Sequence, residues 1–556
     1  MGREQVTTRT GGRILVDNLV AQGCDRIFTV PGESFLAVLD ALHDTPEIDL
    51  VVCRQEGGVG YMAEADAKMT GRPGVAFVTR GPGATNASIG VHAAFQDSTP
   101  MILFIGDVAR GDRDREGFQE VDFAAMFGPL AKWAARIDDA ARIPEYVARA
   151  YATAMSGRPG PVVLALPEDM LRDSVDTVDR PRVCPAVQSA DPMAVATLMD
   201  LLKDACSPVA IVGGAGWDAG TAHHFAQFAE RIGLPVACAF RRQDALPNSS
   251  PVWAGNLGYG PNPKLVERIR NADLLLVVGP RLGEATTDGY TLVTPDHPGQ
   301  TLVHVHPDPN ELNRVYRTCL PICADMREFA ELVASWEDEI IHFDAGAEAH
   351  AEWRDWSEPK PLETSLDLGQ AVARMREVLP EDTIVCNGAG NFSGWFHRYW
   401  RYGTAPCQLA PTNGSMGYGL PAAVAAAIRF PDRQVLCPAG DGDFLMNGQE
   451  LATAVRYGAS LLVLVIDNGS YGTIRMHQER EYPERLSGTE LVNPDFAAFA
   501  RAFGAWAETV ETTEDFAPAL DRALGQQGVR LLHLKTDVEQ ITNATTISKI
   551  RARARG

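Results

Sequence analysis

Asp441 and Asn468 are the residues of this chain whose types and spacing best fit shared chemistry. Asp441 stands in Gly440-Asp441-Gly442, directly after the apolar run QVLCPA, and Asn468 follows a second apolar run, ASLLVLVI, in Asp467-Asn468. One carboxylate, one amide oxygen and a nearby backbone carbonyl make a hard-oxygen set suited to Mg2+, with positions left open for phosphate oxygens. Two buried parallel strands joined by a helix would bring Asp441 and Asn468 side by side at the strands' carboxyl ends. A GDG turn alone is also an ordinary tight turn after a strand, so the rest of the chain has to decide.

A second candidate is Glu56, which the strand LVVCRQE (50–56) delivers into the small-residue helix GGVGYMAEADAKMTG. A Glu there reads either as a helix N-terminal acid or as a carboxyl that shares a proton with a ligand. TRGPGATNASIGVHAAFQDSTPMILFIGD (79–107) places Gly81 and Gly83 in a turn where backbone can approach a ligand or a neighbouring subunit closely. The following helix is expected to begin near Asn86.

The elements that must hold these residues alternate between helix and strand. Ile14, Leu15, Leu19 and Val20 share a helical stripe, IFTVPG (27–32) is a strand ending in a Pro31-Gly32 turn, and VAFVT (75–79) and PVVLALPEDM (161–170) are buried strands. This order predicts an α/β chain with mostly parallel sheets flanked by helices. Residues 172–192 and 343–362 are polar and read as linkers. Three domains are therefore expected, over 1–175, 190–345 and 360–556, which agrees with a length of 556 residues. The first and last are similar enough in pattern to suggest a duplicated fold.

The net charge of −22 argues against nucleic acid or an anionic membrane as partner. Of the ten cysteines, Cys319 and Cys323 lie close together without a second pair or histidines at zinc spacing, so free thiols are expected. No apolar run approaches about 18 residues, and MGREQVTTRT lacks the apolar core of a signal peptide. A cytoplasmic protein is the expectation.

Together these stretches carry a resemblance. GDG followed further on by an Asn resembles the diphosphate-binding motif of thiamine-diphosphate (thiamine pyrophosphate, ThDP) enzymes, with Asp467 in place of the first of the usual two asparagines. The Glu56 segment is similar to the family's pyrimidine-binding domain, and residues 79–107 resemble the acetolactate synthase branch. The resemblance implies a pyrimidine-binding, a central and a diphosphate-binding domain in that order. Glu56 would then hydrogen-bond the aminopyrimidine, and Pro31 and Gly32 would border it. NGAGNFSGW (387–395) would set Gly390, Asn391 and Phe392 near the diphosphate, and NGSMGYGLPAA (413–423) would set Gly414 and Met416 against the rings. Met416 or Ile474 would be the bulky apolar residue between the rings.

By the same resemblance, Asp441, Asn468 and the Ser470 carbonyl would hold Mg2+. The Gly442 and Asp443 backbone at a helix N-terminus would hold phosphate oxygens, with Tyr471 and Gly472 alongside. Phe118 and Gln119 in GFQEVD, and Lys132 in GPLAKW, would border the substrate. His92 and His477 are the histidines worth testing.

Two features depart from acetolactate synthases proper. Leu282-Gly283-Glu284-Ala285 replaces their Phe-Asp-Asp-Arg turn, and His477 falls at or near their substrate-selecting Trp. FAD is therefore uncertain and not favoured, and GGAG (213–216) lacks the dinucleotide spacing. The expected activity is decarboxylation of a 2-oxo acid, carboligation to an acceptor carbonyl, or both. The alternatives are a ThDP-dependent lyase or acyltransferase acting on a 2-hydroxyacyl-CoA or sulfonated aldehyde, and a non-catalytic regulatory protein of the same fold. The resemblance also implies a homodimer or homotetramer with its sites at the subunit interface.

Overall fold

The structure, a computed structural model, describes residues 7–336 and 341–555. Among these residues the chain builds three six-stranded sheets, each parallel throughout, and one two-stranded antiparallel ribbon. The strands are near-continuous apolar runs: Met101–Asp107 (MILFIGD) and Leu461–Asp467 (LLVLVID) are buried at every position. Helices cover both faces of such a sheet, so neither side of the strand can be polar.

Numbered by appearance within each block, the strands of the first sheet run 2-1-3-4-6-5, and those of the third sheet follow the same order. The duplication suggested by the sequence is thus present in topology. The second sheet runs 3-2-1-4-5-6, the order of a doubly wound dinucleotide fold. By contact the chain divides into two compact units, 1–186 with 424–429, and 187–423 with 430–556.

Three sequence expectations need correction. Within 172–192, Ser174–Thr177 is not a linker but a strand paired antiparallel with Thr7–Thr10. Within 343–362, Ala345–Trp356 is a helix whose Gly346, Ala349 and Trp353 are buried at helical spacing. Trp353 packs edge-on against Trp253, with ring centroids 6.2 Å apart. The polar outer face of that helix hid its apolar stripe. The strand before Glu56 ends at Val52, and Glu56 is the first residue of the helix Glu56–Thr70, capped by the Gln55 side chain, which accepts from Gly58 N at 3.1 Å.

In an open parallel sheet the crevice for a ligand lies at the carboxyl ends, where strand order reverses. In the third sheet that point falls between Ile384–Cys386 and Val435–Gly440, which are paired in register. Residues 387–392 and 440–443 leave the sheet from these two strands.

Candidate active site

A cavity of about 250 Å3 opens at this switch point. It gathers Gly390, Asn391 and Phe392 from one loop, Gly414 and Met416 from another, and Asp441, Gly442 and Asp443 from the end of Val435–Gly440. Asn468, Ser470, Tyr471, Gly472 and Ile474 close it from the end of Leu461–Asp467. Residues separated by more than 80 positions in sequence share one wall because Val435–Gly440 pairs with Leu461–Asp467, Gly440 opposite Ile466.

Trp395, at the end of NGAGNFSGW, also lines the cavity, and several walls lie outside the stretches singled out in the sequence: Leu368, Thr536, Gln540 and Ile541. Asn391 ties the last of these in, donating from Nδ2 to the Ile541 carbonyl at 3.1 Å and accepting at Oδ1 from Thr473 Oγ1 at 2.9 Å.

Asp441 is buried; its Oδ1 accepts from Gly442 N at 2.9 Å and its Oδ2 from Asn493 Nδ2 at 2.7 Å. Asn468 Oδ1 accepts from Ser470 N at 3.0 Å. Burial pushes the Asp441 carboxyl up from its ordinary value. Burial works the same way on Asp467, but His533 Nε2 at 2.8 Å, Lys535 Nζ at 2.5 Å and Asn493 Nδ2 at 2.8 Å outweigh it and hold that carboxyl far down. The acid at 467, where the motif has an amide, is thus neutralised by its own partners.

Asp443 faces the cavity but also ties loops together, its Oδ1 accepting from Ala389 N at 3.2 Å and Gly417 N at 2.8 Å. Burial pushes its carboxyl up to about 7.

These residues fit Mg2+ and a diphosphate. Carboxylate, amide and main-chain oxygens are the donors a hard cation prefers. Among the described residues no cluster of three or more His, Cys, Asp or Glu offers a softer site. Gly390, at φ +154°, has room only for a hydrogen, since a Cβ would lie 2.8 Å from the Phe392 ring. At Gly442 a Cβ would lie 2.5 Å from the Tyr471 ring. The helix after Gly440 is a single turn, Asp441–Phe444. Any hold on phosphate there comes from individual amides more than from a helix dipole.

Glu56 lies in the first unit. Its Oε2 accepts from Asn86 Nδ2 at 2.9 Å. This contact exists because the helix begins at Gly81 rather than near Asn86, placing Asn86 in the second turn. Gln119, at φ +64°, accepts from Gly81 N at its carbonyl at 3.0 Å, and a Cβ on Gly83 would touch Glu56 Oε1 at 3.6 Å. Gln119 and Glu56 therefore flank one glycine turn. Phe118 beside it is 72% exposed. Gly32 packs on Thr79 at the switch point of the first sheet, next to Pro31.

Other candidates stand apart. His477 is exposed on the helix Gly472–Glu481 and pairs with Arg480 at 2.7 Å, outside the cavity wall. Lys132 donates to the Ser156 carbonyl at 2.6 Å, and His92 lies within the helix Gly81–Asp97.

Comparison with known proteins agrees with the order of these parts. The thiamine pyrophosphate enzyme N-terminal binding domain matches residues 9–126, the central domain 195–333 and the C-terminal binding domain 388–534. The acetolactate synthase large subunit of Parasynechococcus marenigrum is 32% identical over 518 residues, spanning 89% of this chain and 82% of that one. The acetolactate synthase large subunit of Corynebacterium glutamicum is 30% identical, over 94% and 86% of the two chains. The acetolactate synthase isozyme 2 large subunit of Escherichia coli is 29% identical over 95% of each. This chain belongs to the thiamine pyrophosphate enzymes and is an acetolactate-synthase-like member of that family.

Proposed function

We propose that this ThDP-dependent enzyme requires Mg2+ and acts on a 2-oxo acid, releasing CO2 and then protonating the remaining acyl unit or joining it to an acceptor carbonyl. The observation that carries this reading is the single cavity that collects Asp441, Asn468, Ser470, Gly390 and Met416 at the switch point of the third sheet. Asp441, Asn468 and the Ser470 carbonyl would hold the metal, and Gly442, Asp443, Asn391 and Tyr471 the diphosphate. Bound there, ThDP supplies the electron sink that makes cleavage next to a carbonyl possible.

The chain's own residues do the rest. Glu56, oriented by Asn86, holds and passes the proton on the aminopyrimidine ring. Met416 and Ile474 wall the ring end of the cavity with apolar surface and keep water from the reacting centre. Gln119 stands by on the substrate side. The domains expected at 1–175, 190–345 and 360–556 would serve as pyrimidine-binding, central and diphosphate-binding domains, with the helix Ala345–Trp356 assigned to the central one. Two copies at least would be needed, as a homodimer or homotetramer, if Glu56 of one copy serves Asp441 of another. A cytoplasmic setting is supported by ten free thiols. Among the described residues no helix is long and apolar enough to cross a membrane.

A flavin is not part of this reading. At the switch point of the second sheet the loops after Pro208–Val212 and Leu274–Val278 approach closely: Trp217 Nε1 donates to the Gly213 carbonyl at 2.7 Å, and a Cβ on Gly214 would lie 2.3 Å from the Gly279 carbonyl.

A second reading, C–C cleavage of another donor without loss of CO2, draws support from Leu282-Gly283-Glu284-Ala285, where Leu282 is buried and the four residues contain no arginine, Arg281 standing just before them. The two are separated by incubating the protein with ThDP, Mg2+ and a panel of 2-oxo acids, 2-hydroxyacyl-CoA thioesters and sulfonated aldehydes. CO2 release with ligated or protonated product supports the first; cleavage without CO2 supports the second. The absorbance spectrum of the purified protein tests the flavin-free reading.

A further inference from the structure

Arg241 follows the strand Val236–Cys238 of the second sheet, at φ +60°, and is 5% exposed. Its guanidinium spans two loops of the third sheet's block. Nη1 donates to the Pro411 carbonyl and Nη2 to the Gly388 carbonyl, the latter at 3.0 Å. The amides of the same two loops go to Asp443, whose Oδ1 accepts from Ala389 N and Gly417 N. A buried cation thus takes the carbonyls, and a buried carboxylate takes the N–H groups, of the loops that carry Ala389, Gly390, Gly414 and Met416 into the cavity.

The rest of the segment FRRQDALPN is tied to the third sheet's block at points outside the two loops. Gln243 N donates to Gln408 Oε1 at 2.7 Å, and Gln243 Nε2 donates to the His397 carbonyl at 2.9 Å. Asp244 Oδ2 accepts from Cys407 N at 3.2 Å and Gln408 N at 3.1 Å. Asn248 and Tyr402 exchange two bonds, Asn248 N to the Tyr402 carbonyl at 3.0 Å and Tyr402 N to Asn248 Oδ1 at 2.9 Å. These contacts occupy the edge of the third sheet at Gln408–Leu409, a strand that would otherwise lack partners on one side. Packing alone does not call for an arginine here, because a buried guanidinium is costly unless its donors are satisfied in a fixed geometry.

We infer that Arg241 is a positioning residue: the segment from the second sheet's block fixes the spacing of the two loops that receive the cofactor, through a clasp whose other half is Asp443. This rests on the reading of the cavity as the ThDP site.

Arg241→Lys keeps the charge but not the fork that reaches both carbonyls. Gln243→Ala alters the same contact without touching either loop. Hydrogen exchange in the cofactor-free protein is followed at 387–392 and 411–417, and ThDP binding with Mg2+ is followed by fluorescence of Trp395 in the cavity wall. Arg241→Lys is expected to speed exchange in both loops and weaken ThDP binding about tenfold or more, the loss typical of a charge-assisted hydrogen bond, with Gln243→Ala near wild type in both. Unchanged exchange in Arg241→Lys, or equal damage from Gln243→Ala, overturns the inference. A wild-type protein that binds no ThDP would refute the reading of the cavity, and the exchange comparison would still decide the clasp.

Discussion

Asn493 donates from one side-chain nitrogen to Oδ2 of Asp441 at 2.7 Å and to Oδ1 of Asp467 at 2.8 Å, so a single amide bridges two buried, neighbouring carboxylates. Without that donor the repulsion between the two neighbouring acids would go unrelieved, and the Asp441 carboxylate proposed to bind the metal would lose its orientation. Groups of this kind behind a metal ligand typically contribute about 10- to 100-fold in metal affinity. Asn493→Ala is therefore expected to raise the Mg2+ concentration for half-maximal activity by about that factor at saturating ThDP, a loss of order 1.4 to 2.8 kcal/mol. An unchanged Mg2+ requirement would remove Asn493 from the site.

Glu56→Gln should separate chemistry from folding. Glutamine retains an oxygen that can accept from Asn86 Nδ2, and the helix Glu56–Thr70 keeps its Gln55 cap. What it loses is the exchangeable carboxyl proton. Turnover is expected to fall by about 10^2- to 10^4-fold, the usual worth of a positioned acid or base. The melting temperature and ThDP binding should stay near wild type. A variant with full turnover would sink the proposed role.

The sequence made the parallel sheets legible because buried strands such as LLVLVID and MILFIGD admit little but apolar side chains. It also placed Asp441 beside Asn468, because both stand at the ends of two such strands. It was weaker wherever a role depends on a partner far along the chain. Asn493, His533 and Lys535 complete Asp467 from 26 to 68 residues away, and nothing local marks them. Arg241 reads as one more charge in FRRQDALPN until the edge strand Gln408–Leu409 is set beside it. His477 is suggested for the site by resemblance alone; in the single chain its ring is exposed and pairs with Arg480.

Gly90 and Gly60 mark the crossing of the helices Gly81–Asp97 and Glu56–Thr70. A Cβ at Gly90 would lie 2.5 Å from the Gly60 Cα, with main-chain atoms that cannot move independently. Gly90→Ala must push the helices apart and disturb the turn that holds Glu56 near Gly83. Overpacking of this sort usually costs about 1–3 kcal/mol, and backbone contact puts this case at the upper end. A lowered thermal midpoint is expected. A midpoint equal to wild type would show that the helices separate freely.

Arg429 makes ion pairs with Asp25, from Nη1 and Nη2 at 3.0 Å, and with Asp66, from Nε at 2.8 Å. Burial works against ionisation of Asp25, but hydrogen bonds from Arg429 and Arg72 outweigh it and hold the carboxyl down at about 2. The unfolded chain would titrate this group near about 4. A carboxyl depressed in the folded state adds stability that is fully present above its unfolded value and is lost as pH falls through its folded one. The window is therefore about pH 4 to pH 2. Thermal midpoints of wild type should fall more steeply across that window than those of Arg429→Met, which should start lower at neutral pH. Parallel curves would mean that the pair contributes no linkage.

Subunit complementation tests the shared site most directly. Glu56→Gln and Asp441→Ala should each be inactive alone. If the Glu56 of one copy serves the Asp441 of another, a mixed dimer carries one site with both lesions and one site with none. Random exchange of subunits puts half of the dimers in the mixed state, and half of their sites are intact. Activity should then return to roughly a quarter of wild type after the two variants are unfolded or dissociated and reassembled together, as expected for a closed two-fold dimer. If both residues of a site came from one chain, every site in the mixture would keep one lesion and no activity would return. Recovery near a quarter thus supports both the dimer and the pairing of Glu56 with Asp441 across it. No recovery from properly mixed dimers would place both residues of each site in the same copy.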